Sequence, residues 1–345
     1  MSQRVGSAIQ APTFAHLRSL TDGLGLFEHA LYLDARVEHG YCTDDVARAL
    51  IVVLREDQAD PAFAELTEIY LTFVERAVAP NGAVHNRMSA AGVWTDEPTT
   101  DDCWGRAVAA LGTAARFGAT QRVRDRAVKA FLRAAKSRTK AVRSASFAAI
   151  GAAELIRTRA EGLGAARVLL ADCLALIPRR AYPGWDWPEP RLRYANAALC
   201  DALIVGGTAL GRPQTVRQGI SLLTVLLRLE TGEFGQLSVC GTKGRGPGEL
   251  GPLWDQQPIE VAAIADACAH AFAVTGDVSW RRAVQRAWGW FNSDNDAGVE
   301  MYEPDTGAGH DGLEVNGRNE NCGAESTLAA LTTLQRALEV SGVRW

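Results

Sequence analysis

Acidic side chains stand where loops of this sequence turn into apolar helices. The segment from Gly309 to Leu328 is polar and broken by glycines at first, and then becomes an Ala-rich helix that carries Glu325. Buried carboxylates require partners or water, so a structural core does not need such a cluster, whereas a site that moves protons does. Two carboxyl groups, one protonating a leaving oxygen and one activating water, would cleave a glycosidic bond. The candidates for acid and base are Asp45, Asp102, Asp255, Glu320 and Glu325.

Aromatic rings and amides accompany these carboxylates in the same loops. Rings stack on the apolar face of a sugar while acids and amides bond its hydroxyls, so we expect this set to bind substrate. The predicted binding residues are Tyr41, Asp44, Trp94, Trp104, Trp185, Trp187, Tyr194, Asn196, Trp254, Gln256, Gln257, His310, Asp311 and Asn319. Trp185 and Trp254 lie in Pro- or Gly-rich loops, which predicts contact with ligand and not with the core.

The elements that must position these residues form a repeat of paired helices. Helices that are apolar on nearly every side begin near residues 44, 102, 145, 196, 257 and 323, and such helices are interior. Outer helices with a one-sided apolar stripe are expected at about 62–78, 122–135, 165–176, 216–229 and 279–291, and a helix from Phe14 to Asp22 would complete the sixth pair.

Six inner helices ringed by six outer ones predict an all-α fold, the (α/α)6 barrel, as one domain over residues 1–345. The inner N-termini then share one mouth, which the long irregular loops also enter. Short strands are expected only near 237–239 and 299–302.

The helix ends also suggest roles for the carboxylates. A carboxylate at a helix start is biased towards the ionised form, which suits a base or a nucleophile. Glu325 lies one turn inside an Ala-rich helix, which favours a raised pKa and the role of acid. The alternative for Asp44, Asp45, Asp101 and Asp102 is N-capping, with Thr43 or Asp44 as the cap of the first inner helix.

The composition excludes several classes of partner. Thirty-six basic and 40 acidic side chains give a net charge of −4, so no global field attracts nucleic acid or an anionic membrane. The N-terminal segment contains no apolar run of signal-peptide length, and no segment approaches the roughly 18 apolar residues that are needed to span a bilayer. These two observations predict a cytoplasmic protein. The seven cysteines form no CxxC pair, which predicts reduced, mostly buried thiols. No histidine has metal-ligand spacing, so neither a metal nor another cofactor is expected.

Four motifs resemble a known family. They are the segment 40–50 with Thr43-Asp44-Asp45, Gly105-Arg106-Ala107, the run Trp254-Asp255-Gln256-Gln257-Pro258-Ile259-Glu260, and Asn319-Glu320-Asn321 followed by Gly323-Ala324-Glu325-Ser326-Thr327. They resemble the bacterial six-hairpin glycosidase-like barrels, which are often labelled glycosyltransferases because some are attached to a glycosyltransferase domain. The resemblance covers the chain from about residue 28 and implies the (α/α)6 fold and carbohydrate chemistry. Where the family pattern has Asn, His and Gln, this chain has Val46, Trp104 and Cys322.

Three functions follow from these observations. The leading one is a glycoside hydrolase, or a phosphorylase of the same barrel class, acting on an oligosaccharide or glycoconjugate. The second is a sugar epimerase or isomerase with His39, His85 or His310 as the base. The third is a noncatalytic glycan-binding barrel that partners a glycosyltransferase, which the departures from the family pattern favour.

Overall fold

Helices dominate the computed structural model, which describes residues 10–158 and 163–342. The helices in these ranges are α1 Ala15–Ser19, α2 Thr43–Val53, α3 Pro61–Ala77, α4 Asp102–Phe117, α5 Gln121–Ala134, α6 Val142–Arg157, α7 Leu163–Leu176, α8 Asn196–Ala209, α9 Pro213–Leu229, α10 Pro258–Thr275, α11 Val278–Phe291 and α12 Ala324–Ser341. A single 3-10 turn covers Val37–His39.

The even-numbered helices form a closed inner ring. Each packs on the next in the order α2, α4, α6, α8, α10 and α12, and α12 returns to α2. Helices α3, α5, α7, α9 and α11 pack outside them, and the six predicted inner starts fall within three residues of the observed ones. The predicted (α/α)6 barrel is therefore confirmed.

The sixth outer position differs from the expectation. The helix expected from Phe14 to Asp22 is only the five-residue α1, which packs on α12. It ends early because the Asp22 carboxylate accepts the backbone N–H groups of Leu24 and Gly25, which turns the chain.

Small residues let the inner helices approach closely. A Cβ atom on Gly112 of α4 would lie 2.0 Å from the carbonyl oxygen of Gly151 on α6, and one on Gly105 would lie 2.3 Å from that of Ser144. Neither position accepts a side chain. The α4–α6 contact therefore depends on glycine.

The long connections all lead from an outer helix into an inner one. They cover 78–101, 177–195, 230–257 and 292–323, whereas the opposite end has short turns such as 210–212 and 276–277. The predicted mouth with its irregular loops is thus present at the N-termini of the inner helices.

Short antiparallel strand pairs stiffen two of these loops and the segment before α2. The pairs are β1 Ala30–Leu31 with β2 Asp34–Ala35, β3 Tyr41–Cys42 with β4 Arg87–Met88, β5 Tyr302–Glu303 with β6 Ala308–Gly309, and β7 Leu313–Glu314 with β8 Gly317–Arg318. The strand expected near 299–302 corresponds to β5. The one expected near 237–239 is a single bridge between Thr231 and Leu237.

Among the described residues, one helix is long and apolar enough to cross a membrane. It is Pro258–Thr275, with a mean hydropathy of 1.3, whereas we expected no segment of this length and composition. This helix is α10, which packs on α8, α11 and α12, and that burial accounts for its apolar composition.

Candidate active site

A cavity of about 310 Å³ opens at the mouth of the barrel. Its walls come from the first turns of α2, α4, α10 and α12 and from the loops before α8 and α10. The residues around this mouth cavity are Asp44, Arg48, Asp102, Arg106, Arg193, Tyr194, Cys240, Gly241, Thr242, Gln257, Ile259, Glu260 and Glu325. Of the five predicted catalytic carboxylates, Asp102 and Glu325 line it, and the predicted binding residues Asp44, Tyr194 and Gln257 line it too.

Arg48 connects the carboxylates of the first and last inner helices. Its Nη1 donates to Oε2 of Glu325 at 2.5 Å, and its Nη2 lies 2.9 Å from Oδ1 of Asp45. Asp45 is buried below the cavity wall, and burial raises its pKa to about 7 against the opposing charge of Arg48. The expectation that Asp45 is readily ionised at a helix start is therefore wrong.

The cavity wall holds two carboxyl groups with opposite pKa shifts. Burial raises the pKa of Asp44, although Arg106 lies with its Nε 3.5 Å from Oδ1. Burial also acts on Glu325, but the charge and hydrogen bond of Arg48, helped by the charge of Arg106, outweigh it and lower the pKa. The expectation of a raised pKa at Glu325 is wrong, because an apolar helix composition does not reveal an arginine that reaches it from another helix.

Tyr194 and Asp102 form a hydrogen-bonded pair at the rim. The phenolic O–H donates to Oδ2 of Asp102 at 2.5 Å, and burial together with this carboxylate raises the pKa of Tyr194. The Tyr194 ring is half exposed in the mouth. A ligand in the cavity therefore meets a flat ring and a carboxylate acceptor side by side.

The first and the last inner helix are capped by side chains from neighbouring elements. None of the six inner N-cap residues bonds its own helix through its side chain, so the interpretation of Asp44, Asp101 or Thr43 as self-caps is wrong. Instead, Asn86 accepts from the N–H of Asp44, and Asp311 accepts from that of Gly323. Since the aspartates of the first turns are not used as caps, Asp44 and Asp102 are left to face the cavity.

Glu260 caps α8 from α10. Its carboxylate accepts the N–H groups of Ala195 and Asn196 and the side-chain amide of Asn196. Ala195 adopts φ 47°, a left-handed conformation that costs free energy in a residue with a Cβ. The bonds to Glu260 hold this strained residue at the edge of the cavity.

Six predicted site residues are buried structural groups. Tyr41 donates to Asp22 and stacks on Phe27, and Trp104 donates from Nε1 to the carbonyl of Ala134 on α5. The others hold loops together or lie in the core. The six are Tyr41, Trp104, Trp187, Asn196, Gln256 and His310.

Seven further predicted residues lie outside the mouth cavity at its surrounding loops. Glu320 is largely exposed and pairs with Arg318, and Trp94 stacks on His85. Trp185 and Trp254 are partly buried and pack against the main core, and their contact with ligand stays a prediction. The seven are Trp94, Trp185, Trp254, Asp255, Asp311, Asn319 and Glu320.

Solved structures of low sequence identity share the whole fold. A sugar epimerase from a ruminal bacterium aligns with a TM-score of 0.73 at 12% identity over 98% of both chains. Cellobiose 2-epimerase from Bacillus thermoamylovorans B4167 gives 0.69 at 12% identity over 94% of this chain and 96% of that one. An inactive variant of an α-1,6-mannanase from Salegentibacter sp. HEL1_6, in complex with α-1,6-mannotetrose, gives 0.64 at 12% identity with the same coverage. The fold is the (α/α)6 barrel. No protein-family model matches this sequence, and no curated protein matches it in sequence.

Sequence reasoning missed the basic half of the site. Arg48 and Arg106 project into the cavity from inner helices, and Arg106 also lies 4.0 Å from the ring centre of Phe147. Both belong to motifs that carry the family resemblance. The signal for them was an arginine within one turn of an aspartate in an otherwise apolar helix, since a buried charge of this kind needs a partner.

Within residues 10–158 and 163–342, two groups of side chains have ligand atoms within 4.8 Å of one another, as a metal would need. They are Glu28, Cys42 and Asp45, and Glu230, Cys240 and Glu260. Burial raises the pKa of both thiols, and it raises the pKa of Asp45 and of Glu260 as well. A metal bound at either cluster would have to displace these protons, since its ligands bind in their deprotonated forms.

Proposed function

We propose that the protein is a glycoside hydrolase whose active site is the mouth cavity. The observation that carries this proposal is the pair of carboxyl groups with opposite pKa shifts on its wall, Asp44 raised and Glu325 lowered. Pairs of this kind identify an acid and a base in carboxylate enzymes. Both groups lie on neighbouring inner helices and line the same space.

The proposed reaction gives each group the role that the direction of its pKa shift favours. Asp44 donates its proton to the glycosidic oxygen as the bond from that oxygen to the anomeric carbon breaks. Glu325 takes a proton from water as the water oxygen bonds the anomeric carbon. The products are a free sugar and an alcohol. The two carboxyl groups exchange their protonation states and are reset through solvent.

The remaining wall residues suit recognition of hydroxyl groups. Asp102 and Gln257 offer oxygen acceptors, Thr242 and Arg193 offer donors, and the half-exposed ring of Tyr194 offers a flat apolar face. The volume of about 310 Å³ is at the lower end of ligand pockets, which fits one sugar unit better than a long chain.

The similar mannanase supports this proposal through its adjacent aspartates. Its inactive variant has two consecutive aspartates replaced by alanine. This chain has consecutive aspartates at 44–45 and 101–102, each pair at the start of an inner helix. Glycosidic chemistry at such a position is thus compatible with this barrel.

Two other functions, phosphorolysis and epimerisation, are each favoured by a specific observation. Phosphorolysis is favoured by Arg106 and Arg193, whose charges could hold inorganic phosphate where water would attack. Epimerisation is favoured by the likeness to the epimerases, although none of the six histidines, all of them in the described ranges, lines the mouth cavity. Partnership with a glycosyltransferase and a cytoplasmic location also stay predictions.

A panel of synthetic glycosides separates these functions. Incubation with nitrophenyl glycosides, with and without inorganic phosphate, should release nitrophenol without phosphate if the protein is a hydrolase. Release only with phosphate, together with a sugar phosphate product, would show a phosphorylase. Isomer formation from cellobiose or mannose with no release from any glycoside would replace the hydrolase proposal by the epimerase.

A further inference from the structure

A second cavity of about 560 Å³ continues from the mouth along the barrel axis. All six inner helices line this axial cavity. On α12 its lining extends from Glu325 to Glu339, which at 1.5 Å per residue is about 21 Å. Four residues, Arg48, Arg106, Ile259 and Glu325, line both cavities, so the mouth and the axial cavity meet at the Arg48–Glu325 pair.

The middle of the axial cavity is apolar. Its walls there are mostly the side chains of Ile51, Ala109, Phe147, Ala198, Leu328 and Ala329, and Thr332 also lines the cavity one turn further along α12. The hydroxyl of Thr113 at the lower edge donates to the carbonyl of Ala109 in its own helix and is therefore already used. On α2 this section spans the residues between Arg48 and Arg55, or about 10 Å.

A ring of ion pairs lines the axial cavity towards its far end, where the exposed Phe117 and Val274 also line it. Asp266 pairs with Arg55 at 2.9 Å and with Arg336 at 2.6 Å, while His270 lies 2.7 Å from Asp201. Arg116 and Glu154 pair across α4 and α6. These charges compensate one another, so the ring limits the apolar section without attracting a charged ligand from the mouth.

The apolar walls of the middle section indicate which kind of ligand it can bind. A sugar there would lose the hydrogen bonds of its hydroxyls to water and gain few from alkyl walls. A hydrocarbon chain fits the section, because it needs no hydrogen bonds and excludes water from the walls.

We propose that the axial cavity binds an unbranched alkyl or acyl chain, so that the substrate is a sugar joined to a hydrocarbon aglycone. The sugar then occupies the mouth, and the chain extends past Glu325 towards the charged ring. The bond between them lies at the Arg48–Glu325 junction, beside Asp44. Placing the sugar in this way rests on the proposed hydrolase function, whereas binding of the chain does not.

The chain site is tested without any sugar by calorimetry with straight-chain alcohols from 1-butanol to 1-octanol. We expect one saturable site whose Kd falls roughly fourfold for each added methylene, since each buried CH2 contributes about 0.8 kcal/mol. The gain should stop once the chain reaches the charged ring. Weak binding that does not saturate, or a Kd independent of chain length, would overturn the proposal on the wild-type protein alone.

Two variants and one matched control locate the site. Ala329→Leu and Ala198→Leu each add a side chain into the middle section and should weaken octanol binding at least tenfold. Ala165→Leu adds the same side chain at an exposed position of α7 and should leave the Kd unchanged. Thermal unfolding of each variant shows whether it is folded. Equal octanol affinity in folded Ala329→Leu and Ala165→Leu proteins would place the chain elsewhere and refute the proposal.

Hydrolysis assays then separate the two proposals. If methyl and octyl glycosides of one sugar are hydrolysed with equal KM, the hydrolase stands and the chain site fails. If octanol binds with the expected chain-length dependence but no glycoside is cleaved, the chain site stands and the hydrolase fails.

Discussion

Arg48 on the first inner helix donates to the Glu325 carboxylate on the last, at 2.5 Å across 277 residues of sequence. This bond joins α2 to α12, where the ring of inner helices closes. It also lies at the junction of the mouth and the axial cavity and holds Glu325 in its ionised form. One ion pair therefore connects the closure of the fold with the state of the proposed base.

Replacing Glu325 by glutamine should abolish turnover while preserving sugar binding. The amide keeps the shape of the side chain but cannot accept a proton from water, and loss of a general base typically lowers kcat by about 10²- to 10⁴-fold. The measurement is kcat and KM on the best nitrophenyl glycoside. Glu320→Gln is the control, because Glu320 is exposed and lies outside the cavity. Full activity in the Glu325→Gln protein would exclude Glu325 as the base.

Asp44→Asn should show a dependence on the leaving group. An asparagine cannot protonate the departing oxygen, so alkyl glycosides should lose activity by about 10²-fold or more. Dinitrophenyl glycosides need no protonation, because dinitrophenolate is a good leaving group, and they should lose much less. Comparing kcat/KM for the two classes in the variant and the wild type measures this difference. Equal losses for both classes would contradict the role of Asp44 as the acid.

The fold could be predicted from sequence because it depends on local patterns. The inner helices are apolar on nearly every side and the outer ones on one side, and these periodicities survive whatever the helices pack against. The site was harder to predict, because it depends on which side chains of distant helices meet. Trp104 shows the difference. It stands at an inner helix start among motif residues, yet it points outwards and bonds α5.

The expected directions of the pKa shifts at Asp45 and Glu325 were wrong for a related reason. Helix dipoles and local composition were the available arguments, and both act within one helix. The decisive interactions come from other helices: Arg48 of α2 lowers the pKa of Glu325 on α12, and burial within the ring raises the pKa of Asp44. A pairing of this kind depends on which side chains of two neighbouring inner helices face each other, which the sequence pattern does not contain.

Trp104→Ala should destabilise the protein without changing sugar affinity. Its indole is fully buried and bonds Ala134, so truncation should cost about 3 to 5 kcal/mol. Tyr194→Phe should weaken sugar binding and leave the stability nearly unchanged, because it removes a rim hydroxyl bonded to Asp102 and leaves the ring in place. Urea unfolding gives the stabilities and competition with the best substrate gives the affinities. Weaker sugar binding by a folded Trp104→Ala protein would show that this tryptophan contributes to sugar binding.

Hydrolysis should proceed with inversion at the anomeric carbon. An inverting enzyme needs room for water between carboxyl groups roughly 6.5 to 9.5 Å apart, whereas a retaining one brings them to roughly 5 Å. Asp44 and Glu325 project from different inner helices, and Arg48 and Arg106 lie against them, which favours the wider arrangement. Proton NMR of the first-formed sugar reports its anomer directly. Retention of configuration would require a covalent intermediate and would rule out this mechanism.

The buried carboxyl pair beside the cavity should make stability fall as the pH rises. Glu230 and Glu260 are both almost fully buried, and burial raises the pKa of each above the ordinary value of 4.5, with Glu230 adding to the shift of Glu260. A raised pKa means that the folded protein binds more protons than the unfolded chain, so this stability is fully present below about pH 4.5. It is lost as the pH rises through the raised pKa of Glu260, about 8.

Glu230→Gln should reduce that loss. The substitution removes one titrating group and the negative charge nearest Glu260, and each pKa unit regained is worth about 1.4 kcal/mol. We therefore expect the free energy of unfolding to fall less between pH 5 and pH 8 in the variant than in the wild type. Urea unfolding at several pH values measures the slope, with the exposed Glu233→Gln as the control. The same slope in Glu230→Gln and wild type would show that the pair does not carry the pH dependence, because the amide at position 230 cannot ionise.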